Sequence, residues 1–236
     1  FGKALIWVGD DNRVHRLDGY TPTDISPPDL DRLIEAVSDK TTLEASAYMS
    51  GGHAFWQLSS DTWTWVFDLN TEKWHERQKY LGTRSRITST LNTAAEKWLC
   101  GDTDSGDIQQ ITNTSYDVVG DPHRFRIESG PVEKFPNRIR VARTDFDFVV
   151  GVGDATGEDP IETNPEVSIA WSDDGGVTWS NPVLRYLGRQ GETKQRITVL
   201  NSGLSGPQGR RWRLDISDPV YVGFMGGVQS AEPRRK

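Results

Sequence analysis

The chain has 236 residues, 26% of them charged and 35% hydrophobic, with a formal net charge of −7. That length admits one large all-β domain or two smaller ones, and the negative balance argues against general affinity for nucleic acid. The apolar runs are too short to cross a membrane, and one cysteine excludes an internal disulfide or a multi-cysteine metal site. Nine Trp, 23 Gly and 12 Pro point to short strands, many turns and large aromatic plugs. No secretion signal opens the chain. It begins on Phe1 and enters a strand pattern at Ala4, so missing upstream residues are expected.

Three segments share a layout of apolar strand, polar turn and alternating strand: residues 5–18, 55–68 and 98–111. The offsets, 50 positions from Asp18 to Asp68 and 42 from Trp56 to Trp98, suit four-stranded propeller blades. Residues 26–37 predict one short helix on the rim between blades. Ser26 would cap it, Pro27 would open it and Asp29 would complete a capping box, with Leu30, Leu33, Ile34 and Val37 on one face. Residues 68–75 add a strand-turn-strand that resembles the outer hairpin of a kelch-type blade. Cys100, behind Trp98 and Leu99, reads as a buried, inert thiol. Composition changes near Gly130-Pro131. Beyond it, longer strands are predicted at residues 138–143, 147–152, 166–171, 195–200, 210–216 and 220–225. The expected architecture is all-β: partial β-propeller blades over residues 1–130 and one short helix, then a hairpin-rich antiparallel β-sandwich-like region over 131–229. Loop 154–165 is expected to be mobile and the tail 230–236 disordered.

Residues 171–180 read Trp-Ser-Asp-Asp-Gly-Gly-Val-Thr-Trp-Ser. The glycines supply the positive φ of a tight hairpin, and the short polar side chains can turn onto free backbone groups. This segment resembles the Asp-box, matched at Ser172, Asp174, Gly176, Thr178 and Trp179, with Trp179 expected to fold beneath the hairpin. An Asp-box stabilises a turn and performs no chemistry.

Other patterns read more plainly as scaffold. Residues 102–107 look like the start of a calcium loop but place Asp107 and Asn113 where an EF-hand wants Gly and Glu. Residues 151–157 are glycine-rich, yet miss the phosphate-binding spacing and lead into no helix. His15, His53, His75 and His123 lie 38, 22 and 48 positions apart, so no pair has metal-binding spacing. Arg138 and Arg140 share one strand face, opposite Ile139 and Val141, with Arg143 beside them. That face is either simply wetted or a basic strip for DNA or an acidic partner. No catalytic, cofactor or metal residue is assigned, and the chain is read as a non-enzyme.

Several segments together resemble the packaged-DNA stabilisation proteins of short-tailed double-stranded DNA bacteriophages, also called tail accessory or nozzle proteins. They are residues 7–22 (Trp-Val-Gly-Asp-Asp-Asn-Arg-Val-His-Arg-Leu-Asp-Gly-Tyr-Thr-Pro) with Ile25-Ser26, residues 98–102 with Gly106, residues 167–179, and residues 214–220. The resemblance implies a virion structural protein without cofactor or catalysis, assembled in the bacterial host cytoplasm. It implies a β-propeller joined as a ring, commonly of six copies, below the portal and adaptor. Such a ring extends the DNA channel, helps retain packaged genome, passes double-stranded DNA non-specifically through its lumen, and meets tailspikes or fibres and a plug or needle, with no membrane partner. Two alternatives stay open: an Asp-box glycan-binding or sialidase-like glycosidase protein, and a tail-hub or other assembly scaffold, including one from a long-tailed phage.

Overall fold

The computed structural model describes residues 4–234. The described residues are mostly β, with one short helix and several small antiparallel sheets, and form no closed propeller. It divides into two compact units, residues 1–115 and 116–236. The break falls earlier than the expected 130/131 boundary because residues 125–128 pair with a strand far downstream.

The first unit contains β1 (Ile6–Val8), β2 (Val14–Asp18), β3 (Thr21–Asp24), α1 (Pro28–Ala36), a 3-10 turn (Lys40–Thr42), β4 (Glu44–Ser50), β5 (His53–Ser59), β6 (Thr64–Asp68), β7 (Lys73–Glu76), β8 (Ile87–Asn92), β9 (Trp98–Asp102) and β10 (Ile108–Ile111). These make three successive meanders, ordered β1-β2-β3, β4-β5-β6-β7 and β8-β9-β10. The three segments with a shared layout are hairpins β1–β2, β5–β6 and β9–β10, one in each sheet. Their places differ, however: the first opens its sheet, the second is central and the third closes its sheet.

Helix α1 belongs to the core rather than to a rim. Leu30 and Ile34 are fully buried with Val14, Trp56, Leu58 and Phe67, and Leu33 and Val37 are half-buried. The expected cap also differs. Pro27 precedes the helix without a side-chain cap, and Pro28 takes the first helical position, where a missing N–H costs nothing. Ser26 instead accepts the Val14 amide at 3.0 Å and donates to Asp31, tying the helix start to β2. Trp74 Nε1 donates to the Ile25 carbonyl at 2.6 Å, and its ring packs on Phe67 and Trp56.

The second unit contains β11 (Asp117–Val118), β12 (Asp121–Pro122), β13 (Phe125–Glu128), β14 (Arg138–Phe148), β15 (Glu166–Ser172), β16 (Val183–Tyr186), β17 (Ile197–Leu204), β18 (Arg211–Ile216) and β19 (Phe224–Arg234). Besides the small β11–β12 pair, it holds the sheets β13-β18-β15-β16 and β17-β14-β19. One core joins these two sheets: Val167, Ile169, Trp212, Leu214 and Ile216 from the first, and Ile139, Val141, Phe146, Phe148, Ile197 and Val199 from the second. Alternation explains the facing, since Arg211, Arg213 and Asp215 point away between Trp212, Leu214 and Ile216.

Three strand expectations are corrected. Residues 138–143 and 147–148 lie on one strand, β14, because a bulge between Val141 and Arg143 absorbs the change of phase in the apolar pattern. Residues 149–152 and 220–223 are not strand. Residues 230–234, expected to be disordered, pair with Arg138–Arg143 as the end of β19, because polar side chains do not prevent main-chain pairing at a free sheet edge. Residues 235 and 236 of that expected tail lie outside the described residues. Loop 154–165 is closed by backbone bonds, among them Asp154 N to Glu162 O at 2.8 Å and Asn164 N to Pro160 O at 2.7 Å. No helix among the described residues is long and apolar enough to cross a membrane.

Ending the chain at Gln229 therefore removes partners from β14. The β14 amides within residues 138–143 that donate to β19 are expected to exchange at least about tenfold faster in hydrogen-exchange measurements.

Candidate functional site

The Asp-box loop leaves β15 at Ser172, and the chain resumes as strand only at Val183, later than a two-residue hairpin would allow. Ser172 is buried, and its hydroxyl donates to Asp174 Oδ1 at 2.7 Å while accepting the Gly176 amide at 2.8 Å. Asp174 accepts the Thr178 amide at 2.9 and 3.0 Å and the Thr178 hydroxyl at 2.5 Å. The loop base is closed by Trp171 N to Ser180 Oγ at 3.1 Å and Ser180 N to Trp171 O at 2.9 Å. Gly176 stands at φ +102°, a conformation that other residues adopt only under strain. The Asp-box positions are thus brought together, with Ser172, Asp174, Gly176 and Thr178 hydrogen-bonded to one another. Trp179 is half-buried, and the Arg213 guanidinium lies 4.2 Å from its ring centroid, so a cation as well as the loop covers it.

Two neighbours that sequence reasoning missed anchor this loop. Asp173 occupies an unspecified position of the motif, yet its carboxylate accepts Arg210 Nε and Nη2, both at 2.8 Å. Arg210 is fully buried beside the paired rings of Trp171 and Trp212, 5.6 and 5.9 Å from their centroids, and its Nη1 donates to Ser202 at 2.5 Å. Opposite, Gly206 presses on the loop so closely that a Cβ there would stand 1.9 Å from the Asp173 carbonyl oxygen. The available signal was an arginine beginning an otherwise alternating apolar strand.

The same device recurs elsewhere on a smaller scale. Asp68 accepts the Asn70 amide at 2.9 Å, the Thr71 hydroxyl at 2.8 Å and His53 Nδ1 at 2.8 Å. Asp102 accepts the Asp104 amide at 3.1 Å and the Ser105 hydroxyl at 2.8 Å, and Arg86 takes its remaining valence at 2.9 Å. Hydrogen bonds to the ionised form hold Asp174, Asp102 and Asp68 below the usual carboxylate range; at Asp68 burial opposes them as the largest single influence, and they outweigh it together.

The remaining sequence candidates resolve as scaffold. In the calcium-like loop, Arg86 holds Asp102 and Lys79 holds Asp104 at 2.7 and 2.9 Å, so cationic side chains already fill the place of an ion. In the glycine-rich stretch, the amides of Gly151, Gly153 and Asp154 donate to the carbonyls of Leu187, Gly188 and Glu162 and are not directed at a phosphate. Cys100 is buried, which pushes its thiol up. His75 is lowered to about 4 by burial and so is neutral at pH 7. Ile139 and Val141 are buried opposite exposed Arg140, as alternation requires. Arg138 donates to the Ser205 carbonyl at 2.7 Å, and Arg143 pairs with Asp145 at 2.6 Å. Among the described residues, one group brings three ion-ligating side chains together, namely Asp11, His15 and Asp24. Spacing among histidines could not find it, because its partners are carboxylates four positions before and nine after His15.

No family model matches the chain, and no curated protein does. Among solved structures, a Bombyx mori GH32 beta-fructofuranosidase is similar over 96% of this chain at 12% identity, with a TM-score of 0.20. The chain spans 65% of that protein's length. A likeness at that TM-score carries no argument about fold or activity.

Two outcomes are expected. Arg210→Ala leaves the Asp173 carboxylate, whose side chain is 33% exposed, without its partner, and lowers the free energy of unfolding in urea by about 2–4 kcal/mol. Replacing both, as Arg210→Met with Asp173→Asn, recovers most of that loss. In acid, Asp68, Asp102 and Asp174 protonate at lower pH folded than unfolded. Their stabilisation is therefore complete above the ordinary value of 3.8 and is lost as pH falls through the folded values. Asp174→Asn flattens the acid side of a stability–pH profile, with its largest effect on stability above pH 3.8.

Proposed function

We propose that this chain is a non-catalytic building block of a short-tailed bacteriophage tail. It would be one subunit of a ring, commonly of six, below the portal and adaptor. The ring extends the DNA channel, helps retain packaged genome, and carries tailspikes or fibres and a plug. The observation that carries this reading is the work done by the residues of the resembling segments. Trp7 packs on His15, Arg16 pairs with Asp18 and with Glu72, and Ser26 and Ile25 tie β2 and α1 to β7. Asp215 gathers Arg124, Arg126 and Arg213, and the Asp-box closes on itself. All of these side chains fix turns and strands.

We read the three meanders of the first unit as consecutive blades of an open propeller, and the two-sheet second unit as a sandwich. Contacts between successive sheets support that reading. Residues of β1–β3 and β4–β7 share one apolar cluster, while Gln57 on β5 donates to the Ile87 carbonyl at 2.9 Å and Thr90 on β8 to the Ala47 carbonyl at 2.6 Å. Sheets braced in this way make rigid subunits, and a ring of rigid subunits sums weak contacts into a firm seat on the portal. The acidic balance of −7 favours a lumen that lets DNA slide.

The test is localisation in the virion. A gold-labelled antibody against this chain is expected to mark the capsid–tail axis in electron micrographs, and particles assembled without the chain are expected to lose packaged DNA. Label confined to fibre tips, or full DNA retention without the chain, would overturn the reading. Turnover of fluorogenic sialosides would replace it with the glycosidase alternative.

A further inference from the structure

Hairpin β1–β2 turns through a short acidic loop. The Gly9 amide donates to the Arg13 carbonyl at 2.8 Å, Asn12 adopts φ +62°, and the Asp11 carboxylate accepts the Arg13 amide at 3.2 Å. Asp11 is thereby folded back over the strand, with Oδ1 2.9 Å from His15 Nε2. Across the ladder His15 stands directly opposite Asp24, whose Oδ1 lies 2.8 Å from Nδ1. Both ring nitrogens of His15 thus have a carboxylate oxygen at contact distance.

The ring is held in place. Trp7 packs against it with centroids 5.5 Å apart, and only 14% of the His15 side chain is exposed, against 45% and 49% for the two carboxylates. Gly9 lies against the group so tightly that a Cβ would stand 2.5 Å from Asp11 Oδ1 and 2.6 Å from His15 Nε2. One imidazole nitrogen and two carboxylate oxygens fall within 4.8 Å of one another. Ligands bound at about 2.0–2.2 Å to a tetrahedral ion stand roughly 3.5 Å apart, so the set contracts by side-chain rotation, with one carboxylate leaving its own ring nitrogen to join the other at the ion. The charge also suits a cation. Two carboxylates face one ring, and the neighbouring cation, Arg13, pairs with Asp24 at 2.9 Å and is shared with Asp31 at 3.9 Å.

We infer that Asp11, His15 and Asp24 form a site for a zinc-class divalent cation, with solvent completing its coordination. The imidazole is what selects the class, since Mg²⁺ and Ca²⁺ prefer shells made wholly of oxygen. An ion here joins the β1–β2 turn to β3 and thus braces all three strands of the first sheet.

The test uses the whole chain and two metals as probes. Cobalt titration is expected to give visible d–d absorption saturating at one equivalent and bleached by zinc, and zinc but not magnesium is expected to raise the thermal midpoint. His15→Gln is expected to weaken cobalt binding at least about tenfold with unchanged far-ultraviolet circular dichroism, and His53→Gln to leave it unaltered. Should His15→Gln fail to fold, Asp11→Asn gives the same reading through an exposed side chain. Absence of the cobalt band, or binding of wild-type strength in the folded His15→Gln or Asp11→Asn variant, would overturn the inference.

Discussion

A guanidinium withdrawn from water must find partners for its donors and its faces inside the protein, and Arg210 does both. Its fork meets Asp173, its other terminal nitrogen meets Ser202, and its guanidinium carbon lies within 6 Å of the rings of both Trp171 and Trp212. Burying such a charge costs several kcal/mol, which a bidentate carboxylate and two aromatic faces can offset only if their positions are fixed. The pair therefore imposes order on whatever carries its members. Trp171 and Trp212 are cross-strand partners on β15 and β18, and Asp173 begins the Asp-box loop. One interaction thus sets the register of two strands and the exit of a loop.

The loop itself follows a rule seen across both units. A small sheet has little core to spare, so its turns must be fixed by groups that occupy little volume. Aspartate followed by serine or threonine does this at Asp174, Asp68 and Asp102, each carboxylate collecting backbone amides and a nearby hydroxyl. The cost of the device is charge, and this is one source of the chain's acidity. Where Arg86, Lys79 or Arg210 lies beside such a turn, that charge is compensated locally.

What was legible in the sequence was local. The hairpins at residues 5–18, 55–68 and 98–111 were visible because apolar alternation and an acidic turn lie within one short window, and the Asp-box for the same reason. Partners distant in sequence were not. Asp173 and Arg210 are 37 positions apart, and the motif leaves Asp173 unspecified. Ser26 had the right chemistry for a helix cap, but the Val14 amide on β2 competed for its oxygen. The bulge after Val141 shifts the apolar phase of β14, so one strand looked like two. The polar composition of residues 230–234 suggested disorder because composition reports side chains, whereas β14 offered them a main-chain edge. Histidine spacing says nothing about His15, because its neighbours in space are carboxylates.

Cys100 is the chain's single thiol, and it lies on β9, the middle strand of its sheet, 6% exposed. A molecule with one interior sulfur carries a built-in reporter. A thiol-directed dye modifies it only when that sheet parts, so the rate of labelling measures how often the first unit breathes, with no probe engineered into the protein.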